Sequence, residues 1–481
     1  MSKKVIAIAM VVILLVGGGL TAWLVTRTPR RDILRIGNWG HFLCPDLVSE
    51  FQAHHRQVTG NRNFRVRVQE FAANQSMYTA LRYNRSDHDI MAPSDYMIER
   101  LISRNLLQPL DTSRLFFYNL DNYGNRIPVT GGEYGEYERF YWYESNFDNS
   151  VPSFFKDQVF AAAPTRTRMV EGETVIDRFA IPYFYGTMGV MYDPTRMVSV
   201  GGVSTFADTD AASAWIENNG WASIWEAQNN GIVSFIKQNA RDTYGIAQLM
   251  LNRTALLNAA DDEARMEIIR PLFADTSLQQ ITNAENLLLT LQGSTVIESN
   301  DNALTHFGSG VNTSGQLGLE WNVSAAWAMA SNHNVRYHVP TEGTNLWVDS
   351  LVIPRRAGNV DAAYAFINFI MNQDNARRNA DFVKGTSPIA EVAQNQFNEF
   401  SNFTHADFYR EEIIFFDAPA NNQDFIDWRT NFLYTMFPLE SGSNALDRAG
   451  IKRYLDRHPG NTDFEREIVL MMTAVMLYIG S

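Results

Sequence analysis

At 481 residues the chain is long enough for more than one compact unit, because single cores stop growing at about 250–300 residues. A formal net charge of −13 argues against a nucleic-acid partner and mildly favours a cationic one. A single cysteine, Cys44, excludes an intramolecular disulfide framework and any multi-cysteine metal site.

Residues 5–25 form an uncharged, mostly apolar run between Lys3-Lys4 and Arg27, Arg30 and Arg31. A bilayer crossing needs about 20 such residues. Gly17-Gly18-Gly19 with Thr21 and Ala22 offers small residues for cleavage, but Trp23-Leu24-Val25 prolongs the run beyond them. The expectation is an uncleaved transmembrane signal-anchor, with the bulk of the chain extracellular or periplasmic. Cys44 lies too far beyond the run to serve as a lipid-attachment site.

Past the anchor, strands and helices alternate. Ile33-Leu34-Arg35-Ile36 reads as a strand ended by Gly37-Asn38-Trp39-Gly40, and Pro45-Asp46 opens a helix with Leu47 and Phe51 on one face. Phe64-Arg65-Val66-Arg67-Val68 alternates as a strand, residues 74–83 read as helix, and His88-Asp89-Ile90-Met91-Ala92 as a third strand. Pro93-Ser94-Asp95 then leads into a helix over 96–106, with Asp95 a candidate cap. This alternation predicts an α/β fold with a parallel sheet, whose ligand groups belong at the carboxyl ends of the strands. Residues 119–177 form an aromatic-rich excursion of weak periodicity. Ile181-Pro182-Tyr183-Phe184-Tyr185-Gly186 and Gly189-Val190-Met191-Tyr192 look like a crossing into a second lobe.

The chain contains no Gly-x-Ser-x-Gly, no phosphate-binding glycine loop and no His-Glu-x-x-His. The nine histidines are scattered, and His54-His55 reads as solvated. In Trp347-Val348-Asp349-Ser350 the indole and the carboxylate stand two apart, and in a strand they share a face. A ring quadrupole beside a carboxylate suits a compact organic cation. The ordinary alternative is a core tryptophan next to a surface aspartate.

Five segments in order narrow the choice: Asn38-Trp39-Gly40-His41-Phe42, Ala92-Pro93-Ser94-Asp95-Tyr96, Asn239-Ala240-Arg241-Asp242, Trp321-Asn322-Val323-Ser324 and Trp347-Val348-Asp349-Ser350. Their order and spacing resemble the spermidine/putrescine-binding proteins of bacterial ABC importers, over about 33–388 without the excursion. Gly385-Thr386-Ser387-Pro388 adds weaker support.

The resemblance implies a two-lobed, hinged receptor of the type II periplasmic-binding-protein kind that closes on an extended polyamine and passes it to a membrane permease. No reaction, cofactor or metal is implied, and the protein is expected to act as a monomer. One lobe is expected over 33–188 and 348–395, the other over 189–347 and 396–481, with hinges near 185–189 and 347–351. Trp39, Trp321 and Trp347 match the family's aromatic walls. Asp349 and Asp242 match its acids, and Ser94 and Tyr96 its polar contacts.

Two departures stand out. His41-Phe42 replaces an acid–aromatic step, and Asn239 stands where a second acid is common, which leaves two carboxylates, a better balance for a diamine than a triamine. Rival readings are a receptor for another small cation or organic solute, an extracellular hydrolase with paired carboxylates, and a sensory ectodomain.

Overall fold

The computed structural model describes residues 30–111 and 179–389 with short interruptions, together with short pieces at 114–115, 118–120, 126–128 and residue 392. The expected anchor at 5–25, most of the excursion at 119–177 and the C-terminal part at 396–481 lie outside the described residues. No described helix is long and apolar enough to cross a membrane.

The first unit follows the predicted alternation: β1 Ile33–Trp39, α1 Pro45–Thr59, β2 Arg65–Phe71, α2 Asn74–Arg82, β3 Ile90–Met91 and α3 Asp95–Ser103. β1 pairs in parallel with both β2 and β3. The third strand is shorter than the sequence suggests, and α3 opens one residue earlier. Ser94, not Asp95, occupies its N-cap, and no side chain caps it. Cys44 holds the corresponding place before α1, also without a side-chain cap. His55 is less solvated than expected, because its ring lies 4.1 Å from that of Phe64.

β4, Ala180–Tyr192, is buried at all 13 positions, as its run of apolar and aromatic residues requires. Beyond it come α4 Thr209–Asn219, β5 Ser234–Lys237, α5 Ala240–Leu251, α6 Leu278–Leu289, β6 Thr295–Glu298, β7 Leu317–Trp321, α7 Asn322–Ser331 and β8 Arg336–His338. β9 Leu346–Val352, α8 Val360–Ile370 and α9 Gln373–Val383 follow, with further short helices and two-stranded hairpins between these elements. The main sheet runs β6-β5-β7-β4-β9-β3-β1-β2, with β8 attached to β4.

β4 changes partners halfway along. Ala180 through Thr187 lie antiparallel to β9, whereas Met188 through Tyr192 lie antiparallel to β7. One apolar core gathers Trp221, Ile236, Leu249, Leu288 and Leu319. Another gathers Leu34, Phe51, Phe184, Phe366 and Ile370. Asp89, fully buried, accepts from the amides of Arg35, Gly358 and Asn359, so the segment leading into α8 is tied back onto β1.

His338 at the end of β8 offers a pH test of this packing. Burial holds its imidazole down at about 4, and neither ring nitrogen has a hydrogen-bond partner among the described residues. The unfolded state takes up this proton first as pH drops, so the contribution is complete above the ordinary histidine pKa and is lost toward about pH 4. Its ceiling is about 3 kcal/mol, trimmed by the ring's partial exposure. Urea midpoints at pH 7.5 and 4.5 are expected to differ less in His338→Gln than in the wild type; equal differences would refute the assignment.

Candidate functional site

Most of the candidate residues sit at or just past the carboxyl ends of strands. Trp39 closes β1, Ser94 follows β3, Asp242 lies in the first turn of the helix after β5, and Trp321 closes β7. Asp349 comes instead from within β9, opposite an irregularity. Asp349 pairs with Phe184 but Ser350 pairs with Pro182, leaving Tyr183 as an extra residue on β4. Pro182 has no N–H to donate to the ladder, and such bulges re-aim neighbouring side chains.

Asp349 is 4 % exposed and accepts a short hydrogen bond of 2.6 Å from Ser94 Oγ. Asn74 steadies that donor from the other side: its Nδ2 donates to Ser94 Oγ and its Oδ1 accepts from Ser94 N, both at 3.0 Å. Ser94 thus spends its hydroxyl on the carboxylate rather than on capping α3. Nearby, the Tyr183 hydroxyl donates to Phe42 O and accepts from Asn379 Nδ2, each at 2.7 Å. Burial raises the Tyr183 pKa well above the usual range, the negative charge of Asp349 adds to this, and hydrogen bonds from Asn379 and Asn38 oppose it. Trp39 packs on the cluster that contains Tyr185 and Val348, and its indole N–H is buried with no hydrogen-bond partner among the described residues. Tyr96 lies in α3, and its side chain is outside the described residues.

A second group gathers beyond the partner change in β4. The Asn239 side chain caps α5, accepting from Arg241 N and Asp242 N. The residue found where a second acid is common thus serves as a helix cap. Trp321 Nε1 donates to Asp242 Oδ2 at 3.2 Å, and Trp321 N donates to Glu320 Oε2 at 3.2 Å. Trp347 stands between the groups. It is 9 % exposed, its indole donates to Thr187 O at 3.4 Å, and its ring approaches the α-carbon face of Gly186 beside Asn322.

The structure therefore joins Ser94 to Asp349 and Trp321 to Asp242, and it sets Trp347 at the crossing between them. Carboxylates flanked by indoles suit ammonium groups separated by methylenes, since desolvated charge needs a partner and alkyl segments favour apolar walls. Among the described residues no cluster of His, Cys, Asp and Glu has the makings of a metal site.

The sequence reading passed over Lys237 and Glu320, both fully buried and paired with each other. Their signal was a lone charge at the end of each of two otherwise apolar strand runs, Ser-Phe-Ile-Lys and Leu-Gly-Leu-Glu. It also passed over Tyr183, whose aromatic neighbours make it read as ordinary core.

Comparison with known proteins agrees with this architecture. The family described as bacterial extracellular solute-binding protein matches residues 46–407. The chain is 23% identical to the spermidine/putrescine-binding periplasmic protein of Escherichia coli over 354 residues, covering 73% of this chain and 76% of that protein. It is 23% identical over 398 residues to the putrescine-binding periplasmic protein PotF of the same organism, covering 79% and 87%. Among solved structures, the spermidine/putrescine ABC transporter substrate-binding protein PotD of Streptococcus pneumoniae superposes with a TM-score of 0.50 at 22% identity, covering 84% of this chain and 99% of that one. The TpPotD lipoprotein of Treponema pallidum gives 0.50 at 17% identity, covering 76% and 88%. At such identities the structural likeness speaks to the two-lobed fold, and the resemblance carried by the five segments holds at the level of the family. The chain belongs to the bacterial extracellular solute-binding protein family.

Proposed function

We propose that the protein captures a polyamine of the putrescine or spermidine kind outside the cytoplasm, between its two lobes, and delivers it to the permease of an ABC importer without altering it. The observation that carries the reading is the pairing of Asp242 with the Trp321 indole on one side of the crossing, and of Asp349 with Ser94 on the other. Curated relatives whose names specify spermidine or putrescine support the same ligand class.

In this reading Trp39, Trp321 and Trp347 wall the alkyl chain. Asp349 and Asp242 pair with its ammonium groups, and Ser94 and Tyr96 add polar contacts. The lobes comprise 33–188 with 348–395 and 189–347 with 396–481. They close about the strands at 185–189 and 347–351, and bound ligand favours the closed state by touching both. The apolar run at 5–25 tethers a monomer to the membrane.

Native mass spectrometry and titration calorimetry of the full-length protein test the proposal with putrescine, spermidine, neutral amino acids and divalent metals as separate probes. Micromolar or tighter binding of a polyamine, unaffected by the other probes, is expected. Binding of an amino acid or a metal with no response to either polyamine would overturn it.

A further inference from the structure

Tyr183 is the extra residue that the slip between β4 and β9 leaves on β4. In a regular strand successive side chains alternate between faces. Here Tyr183 and Phe184, neighbours in sequence, enter the same apolar core with ring centroids 4.5 Å apart, while Ala180 and Tyr185 enter a different one. Across the ladder β9 alternates regularly, with Trp347 and Leu351 in the first core and Val348 and Val352 in the second. Strand alternation puts Asp349 on the face of Trp347 and Leu351. The slip therefore keeps Tyr183 on the face of Asp349, where unbroken alternation back from Phe184 would turn it to the other.

On that face its hydroxyl meets the loop that begins at Trp39. The loop turns back on itself: Phe42 N donates to Trp39 O at 3.3 Å, and His41 takes the left-handed conformation, φ 61°, that non-glycine residues seldom adopt. The Asn38 side chain brackets the turn, Oδ1 accepting from Trp39 N at 2.9 Å and Nδ2 donating to Phe42 O at 3.2 Å. Phe42 O has a second donor in the Tyr183 hydroxyl, which accepts in turn from Asn379 Nδ2 on α9, each at 2.7 Å. Asn379 Oδ1 then accepts from Cys44 N at 2.8 Å, so the loop is fastened at two places to one pair of side chains. Tyr183, Asn379 and Asn38 are all buried, where such bonds are strong and a lost partner is costly.

We propose that Tyr183 is a positioning residue for the cleft. Its hydroxyl fixes the loop carrying Trp39 relative to the strand carrying Asp349, so that the aromatic wall and the carboxylate are set as one unit. The inference rests on the polyamine reading and deepens it. Tyr183 acts through the loop, because its side chain is buried and its hydroxyl is engaged by Phe42 O and Asn379.

The test separates positioning from bracing. Calorimetric titrations of the full-length protein with putrescine and spermidine would compare the wild type, Tyr183→Phe, Trp39→Phe and Trp321→Phe. Two double variants add Tyr183→Phe to each tryptophan change. Phenylalanine keeps the ring in the core and removes only the hydroxyl. Tyr183→Phe is expected to weaken putrescine about fivefold to tenfold, the scale of one buried hydrogen bond. Added to Trp39→Phe it should cost less than about twofold, because the wall it positions is already altered, whereas added to Trp321→Phe it should keep its full factor. Amide hydrogen exchange over residues 39–44 in the ligand-free protein should quicken about tenfold in Tyr183→Phe, with β5 and α5 unchanged.

A hydroxyl that only braces the core predicts the same factor in both tryptophan backgrounds, and that result overturns the proposal, as does unchanged exchange in the loop. Thermal unfolding checks that each variant folds. Should Tyr183→Phe fail to fold, Asn379→Ala, which removes the bonds to Tyr183 and to Cys44 N, goes through the same cycle and decides. A Tyr183→Phe variant that binds putrescine like the wild type overturns the proposal while the polyamine reading stands. A wild type that binds neither amine overturns both.

Discussion

Replacing Asp349 with asparagine is expected to weaken putrescine binding by at least about 100-fold, the scale set by removing one partner of a desolvated charge pair, about 3 kcal/mol or more. The side chain is nearly isosteric, so packing against β3 and β4 stays intact and the loss reports charge. Asp349 is only 4 % exposed, and Ser94 Oγ holds its Oδ1 at 2.6 Å. A carboxylate this deep is costly to keep in the ligand-free protein, so the melting temperature without ligand should be unchanged or higher in Asp349→Asn. Lost affinity with retained or increased stability identifies a ligand group, whereas a fall in both would make Asp349 a structural residue. Ser94→Ala is the graded companion. It removes the orienting hydroxyl but leaves the charge, and should cost about tenfold. Calorimetry for affinity and scanning fluorimetry for melting provide both readouts, and unchanged putrescine affinity in Asp349→Asn would rule out the site.

The contrast between Asp349 and Lys237 shows what the sequence makes legible and what it hides. Asp349 was visible because strand periodicity alone places it on the face of Trp347, and short motifs on either side repeated the same aromatic-plus-acid theme. The βα alternation of the first unit was equally legible, since β1, α1, β2 and α2 are local patterns whose burial follows from spacing. Lys237 and Glu320 are 83 positions apart, and their meeting depends on β5 and β7 lying side by side in parallel, a long-range fact no local pattern encodes. The start of α3 was misread for the same reason: Asp95 was the candidate cap, but Ser94 takes the N-cap position and its hydroxyl is claimed by a carboxylate 255 positions away. The bulge at Tyr183 had one local trace, Pro182 inside a strand, which removes a ladder donor where the register slips.

Gly186→Ala is expected to destabilise the protein by about 3 kcal/mol, the upper part of the range for forcing extra atoms into a packed interior, and to impair ligand binding with it. A β-carbon at this position would stand 2.6 Å from both Trp347 Cζ2 and Asn322 Cγ, and closer still to Asn322 Oδ1. None of these neighbours gives way easily. Asn322 Oδ1 accepts from Thr187 N, and the Trp347 indole donates to Thr187 O, so the two side chains brace the residue at which β4 passes from β9 to β7. Relief of the clash must displace Trp347, Asn322 or the strand itself, and each of these borders the point where β4 changes partners. Gly189 is under the same constraint from Tyr337 and His338 O, at 2.5 and 2.6 Å. The close approach of side chains to both glycines makes the partner change tightly packed, so the proposed closure would have to spread its bending along β4 and β9 by small backbone rotations. Denaturant titration of Gly186→Ala, with calorimetry on the folded fraction, distinguishes the outcomes. A loss of stability with a comparable loss of affinity supports a packed hinge, and a change below about 0.5 kcal/mol with full binding would show that Trp347 is free to move and forms no fixed wall.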